Sequence, residues 1–579
     1  MRTDPHSYTE DTQSIVNHLE WKARVDFARR VIEATAILRF LAPGSGKLEL
    51  DTRSLTIHTV EDLAGHPVPY ELAAPEPILG QKLTIQLPPG AEGVRIRYET
   101  APSASALQWL SPVQTAGQRL PFLFTQCQPI HARALVPLQD SPAHRIRYRA
   151  ELNVPREMRG LMAAGFVGRT EQGDRAIEVY EMPQSIPSYL FAFAVGELVS
   201  RDLGPRSRVW AEPSVVAPAA HEFAEVDHML TAAEALFGPY DWERFDFLVL
   251  PPSFPYGGME NPRLTFLTPT LLAGDRSLVD VLAHELAHSW AGNLVTNATV
   301  EHFWLNEGLT MYAERRILEA LHGPDVAAIS AANGWKSLEE AVKDFADKPQ
   351  LTCLRTHLQG IDPDEAFSVV PYEKGYLLFR ALEEAVGRMR FDGFLREYLA
   401  HFRFKSLTTE EFAAYVEGAL PGALERIGVR AYFETPGIPA QAVRARSERL
   451  EAIARLGREL PTEAAARAWL ASEWQLWLSQ LLGGVTREQC AEIDRRFRLT
   501  ESGNFDVLAK WLEVAIGAGY SPAMDRAERM LGEVGRMKYL KPIYRSFARQ
   551  DPSRARALFG RLRAGYHPIA VQAVETVLR

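Results

Sequence analysis

Cysteine is scarce in this sequence. Its 579 residues include three, Cys127, Cys353 and Cys490. So few thiols, so far apart, exclude a disulfide framework and fit a reducing compartment. Long apolar runs are missing as well. The most apolar stretch, Tyr189 to Gly196, is eight residues, the length of a strand and not of a membrane span. The N-terminus, Met1-Arg-Thr-Asp-Pro-His-Ser-Tyr8, leads into Glu10 and Asp11 with no apolar segment behind it, so no signal peptide is read. There is no dense Lys/Arg block, and the formal net charge of −9 argues against a nucleic-acid partner. No long apolar heptad run points to a dimer. These absences together predict a cytoplasmic protein with no membrane partner, and a monomer.

What is present is an ordinary globular composition, 46% hydrophobic and 24% charged, in a chain too long for one core. About three or four domains are expected. The early part alternates apolar and polar residues, as in Val94-Arg-Ile-Arg-Tyr98, Arg145-Ile-Arg-Tyr-Arg149 and Leu55-Thr-Ile-His-Thr-Val60. Ala42-Pro-Gly-Ser-Gly46 and Pro88-Pro-Gly90 read as turns between strands. Residues 1–205 are therefore read as an antiparallel β domain. Residues 206–435 mix strands (Phe245 to Leu250, Leu264 to Leu267) with helices that mostly follow them. Thr435-Pro-Gly-Ile-Pro439 opens a Pro-rich linker, 436–445. Residues 446–579 read as all-helical. Leu508, Leu512, Ala515 and Ile516 fall at helical spacing, Gly519 stops that helix, and Ser521-Pro522 and Asp551-Pro552 look like N-cap and first turn of later ones. Short antiparallel helices fit a right-handed solenoid, although the sequence shows no clean repeat period. The fold class is multidomain α+β.

The chemistry concentrates in Val281-Leu-Ala-His-Glu-Leu-Ala-His-Ser-Trp290. On a helix, His284 and His288 lie on one face and can close on one ion, while Glu285 can reach a water held there. The helix is predicted to begin near Asp275 or Ser277 and to stop by Gly292. Two imidazoles plus a carboxylate with one position open make a catalytic zinc set. Trp304-Leu-Asn-Glu307-Gly308 offers the carboxylate, and the 18 intervening residues leave room for a second helix to run back alongside. Glu314 lies seven residues beyond Glu307, on nearly the same face. Contact with a ligating histidine and a solvent-facing ion pair are both open for it.

Gly257-Gly-Met-Glu-Asn261, upstream of this helix and Glu307, resembles the zinc (gluzincin) aminopeptidase family. Thr125-Gln-Cys-Gln-Pro-Ile-His131, Val370-Pro-Tyr-Glu-Lys-Gly375 and Gly535-Arg-Met-Lys538 narrow the resemblance to its leukotriene hydrolase, or aminopeptidase B-like, branch. It runs through to Tyr566-His-Pro568, over essentially the whole chain. The resemblance implies a saddle-like β domain, a thermolysin-like catalytic domain and an armadillo-like helical domain. It implies one Zn²⁺ per chain, held by His284, His288 and Glu307, with Glu285 as general base. Tyr372 would donate to the oxyanion, and Glu260 and Gln128 would hold the substrate's free amine. Tyr256, Gly257, Gly258 and Met259 would run along the peptide, and Arg536 and Lys538 would bind its carboxylate. Since residues two apart do not share a helix face, that last pair requires an irregular segment or unequal roles.

Two positions depart from the branch: Phe367 stands where it has tyrosine and Val300 where it has tryptophan. Asp364, which the resemblance ties to epoxide chemistry, is present. The reading is an aminopeptidase of short peptides with both termini free. A bifunctional enzyme that also opens a fatty-acid epoxide is the first rival, and a non-catalytic scaffold the second.

Overall fold

The computed structural model describes residues 4–10, 12–278 and 280–579. Residues 1–3 and Asp11, on which part of the N-terminal reading rests, lie outside the described residues. Among those described, no helix is long and apolar enough to cross a membrane.

The first region is built on an eight-stranded sheet. Its main path runs 165–172, 175–187, 145–155, 16–26, 31–52, 81–99 and 56–62, and 70–72 also pairs with 81–99. Alternation makes it: in Val31–Thr52, Ile32, Ala34, Ala36 and Leu38 point into the core while Glu33 and Arg39 point out. Most pairs are antiparallel, but Val16–Asp26 and Arg145–Pro155 run parallel. The expected turns at 42–46 and 88–90 do not end strands. They lie opposite each other inside two long paired strands, where the register shifts around Gly44 and Gly46. Gly46 and Gly90, both at positive φ, bend the ribbon there as a bulge does. A smaller sheet of 107–110, 122–125, 193–196 and 159–162 packs with it. In the core, the Trp21 indole donates to the Tyr98 hydroxyl, which donates to the Leu135 carbonyl, so both ring groups are satisfied there.

The next sheet has the order 199–202, 208–211, 247–249, 265–267, 258–259. It starts before residue 205, and its last strand, Gly258–Met259, is an edge. Three helices complete the catalytic layer. Asp280–Ala287 carries His284 and Glu285 and ends just before His288, Trp304–His322 carries Glu307, and Val370–Val386 carries Tyr372. The motif helix begins later than predicted, because Asp275 is used in a local turn and accepts from the Ser277 N–H at 3.0 Å. The helices bearing Glu307 and Tyr372 cross at two glycines. A Cβ on Gly308 would stand 2.6 Å from the Gly375 Cα, so no larger residue lets the axes approach this closely.

From Glu448 onward the chain is helical to Leu578. Asp551 caps its helix by accepting from the Arg554 N–H. Ser521 does not cap: the N-cap there is Tyr520, and Ser521 is already in the first turn. One continuous apolar core joins the catalytic helices, through Leu278, Leu282 and Leu286, to Trp477, Leu508 and Trp511 of the C-terminal helices. A second joins the β region to Leu248, Phe254 and Phe266 of the catalytic sheet.

Candidate active site

His284 Nε2 and His288 Nε2 approach to 3.2 Å, and each stands 3.6 and 3.5 Å, respectively, from Glu307 Oε2. Both imidazoles are fixed from behind. His284 Nδ1 meets the Glu314 carboxylate at 2.9 Å, which decides between the two readings of Glu314. His288 Nδ1 donates to the Ala291 carbonyl at 3.0 Å, and the Thr310 hydroxyl lies 3.1 Å from it. A nitrogen facing a carbonyl must carry the proton, so the Nε2 of His288 presents its lone pair inward. Burial works against charge on His284, but Glu307 and Glu314 outweigh it and push the imidazole well above its usual pKa.

Glu285 is buried against the Gly258 backbone. A Cβ at Gly258 would sit 2.2 Å from its Oε1, so the edge strand needs glycine there. Burial, reinforced by Glu260 and Glu307, drives the Glu285 carboxyl well above the usual carboxylate range. Glu260 joins Glu285 and His288 in a second tight group of possible ligand atoms. Its carboxylate accepts from the Gln128 amide at 3.3 Å. Its backbone carbonyl accepts from the Asn293 amide at 2.7 Å. Asn293 is held in turn by the half-buried Arg145, whose guanidinium donates to the Asn293 and Ser185 carbonyls. Met259 packs in the core, with its sulfur 3.4 Å from the Gln126 amide.

Tyr372 lies in the first turn of its helix. Its ring stacks on His284, with centroids 6.1 Å apart and planes 15° off parallel, and is flanked by Phe303 and Phe367. Burial, and then Glu307, raise its pKa well above normal, so the phenol keeps its proton. The next residue, Glu373, pairs with Arg315 through two bonds of 2.9 Å, which locks this turn to the helix carrying Glu307.

Arg536 and Lys538 take unequal positions. Arg536 is an extended N-cap, held because the N–H groups of Gly535 and Met537 donate to the Pro252 and Pro255 carbonyls. Its guanidinium is buried beside Gly257, donates to the Tyr539 hydroxyl at 3.0 Å, and leaves Nε without a partner among the described residues. Lys538 is half exposed and pairs with Asp506 at 2.8 Å.

An apolar cavity opens beside Gln128 and Tyr256, walled by Val300, Phe303, Leu358 and Phe367. Both departures from the branch therefore face this space. Asp364 is not part of the lining; its carboxylate meets His131 Nε2 at 3.0 Å.

Three family models match the chain. They are the peptidase M1 N-terminal domain over 15–190, the peptidase family M1 domain over 222–431, and the leukotriene A4 hydrolase C-terminal domain over 469–578. The chain is 39% identical to leukotriene A-4 hydrolase of Xenopus laevis, over 99% of its own length and 98% of the relative's. The chain belongs to the M1 peptidase family. This M1 peptidase is also 38% identical to leucine aminopeptidase 2 of Yarrowia lipolytica, over 96% of its length and 90% of the relative's. In structure it superposes on yeast LTA4 hydrolase in complex with bestatin with a TM-score of 0.91, at 31% identity, over 100% of this chain and 97% of that one.

M1 peptidases of this kind are zinc enzymes, and the residues present fit the ion. Donor atoms about 2.0–2.2 Å from a tetrahedral centre stand roughly 3.3–3.6 Å apart, close to the spacing of the His284, His288 and Glu307 atoms. The Oε2 atoms of Glu307 and Glu285 are buried with no hydrogen-bond partner among the described residues. Three mutually repelling carboxylates in one buried pocket call for a dication.

Asn293, Arg315 and Arg145 escaped the sequence reading. Asn293 follows the second histidine by five residues and offered a local signal. Arg145 and Arg315 offered none, because their partners lie far away in the chain.

Proposed function

We infer that the chain is a zinc-dependent aminopeptidase that removes the first residue from short peptides with a free amine and a free carboxylate. The observation that carries this reading is Glu260, a buried carboxylate in the zinc pocket that no Lys or Arg pairs with among the described residues. A substrate ammonium supplies the missing charge, and the Gln128 amide oxygen accepts a further N–H. Zinc, when bound by His284, His288 and Glu307, supplies an electrophile that acidifies water and polarises the scissile carbonyl. Glu285 takes the proton of the attacking water and delivers it to the leaving amine. Tyr372, kept protonated, donates to the carbonyl oxygen as charge develops. The peptide lies along the Gly257–Met259 edge, as an added strand does. Its first side chain enters the apolar cavity beside Gln128 and Tyr256. Arg536 binds its carboxylate, and Lys538, already paired with Asp506, adds positive charge from the rim.

A monomer in the cytoplasm fits this reading. The three buried cysteines are all free thiols, as a reducing compartment keeps them. A second reading is favoured by the apolar cavity and by the name of the Xenopus relative: the same pocket also opens a fatty-acid epoxide.

The experiment compares kcat/KM on a free tripeptide and on its C-terminal amide, for wild type and Arg536→Ala. Wild type should prefer the free peptide by about tenfold or more, and Arg536→Ala should abolish the preference by raising KM for the free peptide. Equal rates on both peptides would remove Arg536 from carboxylate recognition. Failure to cut either peptide, with turnover of a fatty-acid epoxide, would favour the second reading.

A further inference from the structure

The segment Leu358 to Phe367 supplies one wall of the cavity, through Leu358, Pro363, Ala366 and Phe367. It has little structure of its own, with a single helical turn at Pro363–Ala366 capped by Asp362. What holds it comes largely from elsewhere. The Leu358 N–H donates to the Glu301 carboxylate at 2.7 Å. Two further contacts come from the N-terminal β region. His6 Nε2 donates to the Ile361 carbonyl at 2.9 Å. His131 Nε2 meets the Asp364 carboxylate at 3.0 Å, with its Nδ1 held 2.9 Å from the Ser105 hydroxyl.

These two histidines belong to one buried frame. The His6 carbonyl accepts from Arg133 at 2.6 Å, two residues beyond His131. Arg133 is fully buried and bonded to Asp140 at 2.9 Å. Ser7 and the Tyr8 N–H both bond Asp51, whose carboxylate also accepts from the Asp140 N–H. The stretch that carries His131 also carries Gln128, beside Glu260 at the amine end of the site. One rigid frame therefore fixes both where the substrate amine sits and where the cavity wall stands.

We propose that His6 and His131 are positioning residues that set the width of this cavity, and so the selectivity for the peptide's first side chain. The proposal rests on the reading that the cavity receives that side chain. Phe367 also packs on Tyr256, Phe303 and Tyr372, and Leu358 on Ile130 and Val300. Losing either histidine therefore loosens the stretch between these anchors, and a bulky apolar side chain loses contacts there. A methyl group, which does not reach the wall, is indifferent.

The test uses the full-length zinc-loaded enzyme and two tripeptides that differ only in the first residue, leucine or alanine. His6→Leu and His131→Leu should each raise KM for the leucyl peptide about tenfold. KM for the alanyl peptide, and kcat for both, should stay within about threefold. His6→Gln and His131→Gln place an amide N–H where the imidazole Nε2 stood, and should restore wild-type KM. A rise of equal size on both peptides, or glutamine variants that behave like the leucine variants, would overturn the proposal. Should His131→Leu not fold, His6→Leu carries the test alone, since it gives up one bond to a backbone carbonyl. If wild type itself does not distinguish leucyl from alanyl peptides, the reading of the cavity fails first. If wild type does distinguish them and the variants do not change, the failure belongs to the histidines.

Discussion

Glu285 has one carboxylate oxygen buried without a partner among the described residues, and a pKa driven upward by burial and two neighbouring carboxylates. A dication opposite this carboxyl would offset burial and hold it ionised, and an ionised carboxylate is what a general base must be. Glu285→Gln keeps the shape and removes the base. Zinc content by atomic emission should stay at one per chain, while kcat on a tripeptide falls by roughly 10²–10⁴. A rate near wild type would take the role of base away from Glu285. The spacing of His284, Glu285 and His288 was legible because a helix turns regular spacing into geometry. Glu314 was only half legible: its position in the chain gives its face, and the residue opposite that face comes from another helix. His131 and Asp364, 233 residues apart, had no periodicity to announce their contact.

At the scale of elements, Phe505–Gly517 and Met537–Gln550 are clasped by Asp506, which accepts from both Lys538 and Tyr539 at 2.8 Å. Burial alone would raise the Asp506 carboxyl, but Lys538 and Arg536 overcome burial and bring it down to about 2. Its folded pKa lies below the ordinary value, so its contribution is present above about pH 4 and is lost as the pH falls through about 2. At neutral pH Asp506→Asn should therefore be less stable than wild type by roughly 2 kcal/mol, and the gap should close between about pH 4 and pH 2. Urea unfolding at several pH values measures this, and a gap independent of pH would mean the clasp is not ionic. Elements of this kind were partly visible in the sequence. Alternation marked the strands well, since it reports burial on one face. The two Pro/Gly stretches at 42–46 and 88–90 misled, because the residues that end a strand are the same ones that bend it. Which helix crosses which at Gly308 and Gly375 is settled by packing that no single segment encodes.

At the scale of the whole molecule, the proposed site draws on all three regions. Gln128 comes from the β region, the zinc set and Tyr372 from the catalytic layer, and Arg536 from the helical region. The zinc set joins the helices Asp280–Ala287 and Trp304–His322, whose apolar faces belong to the core shared with the C-terminal helices. Zinc removal should therefore lower Tm for the combined catalytic and helical unit, and added zinc should restore it. At about a thousandfold excess over Kd the linkage is worth about 4 kcal/mol. A Tm indifferent to chelation would show that the ion does not tie these helices together.

The order in which the chain is made gives this division a consequence in time. Gln128 and Arg536 are about 400 residues apart, and synthesis proceeds at roughly 5–20 residues per second. On that scale, roughly 20–80 s pass between the making of Gln128 and that of Arg536. The zinc ligands are made between the two. A ribosome-bound chain thus carries His284, His288 and Glu307 before it carries either Arg536 or the C-terminal helices that complete the core behind them.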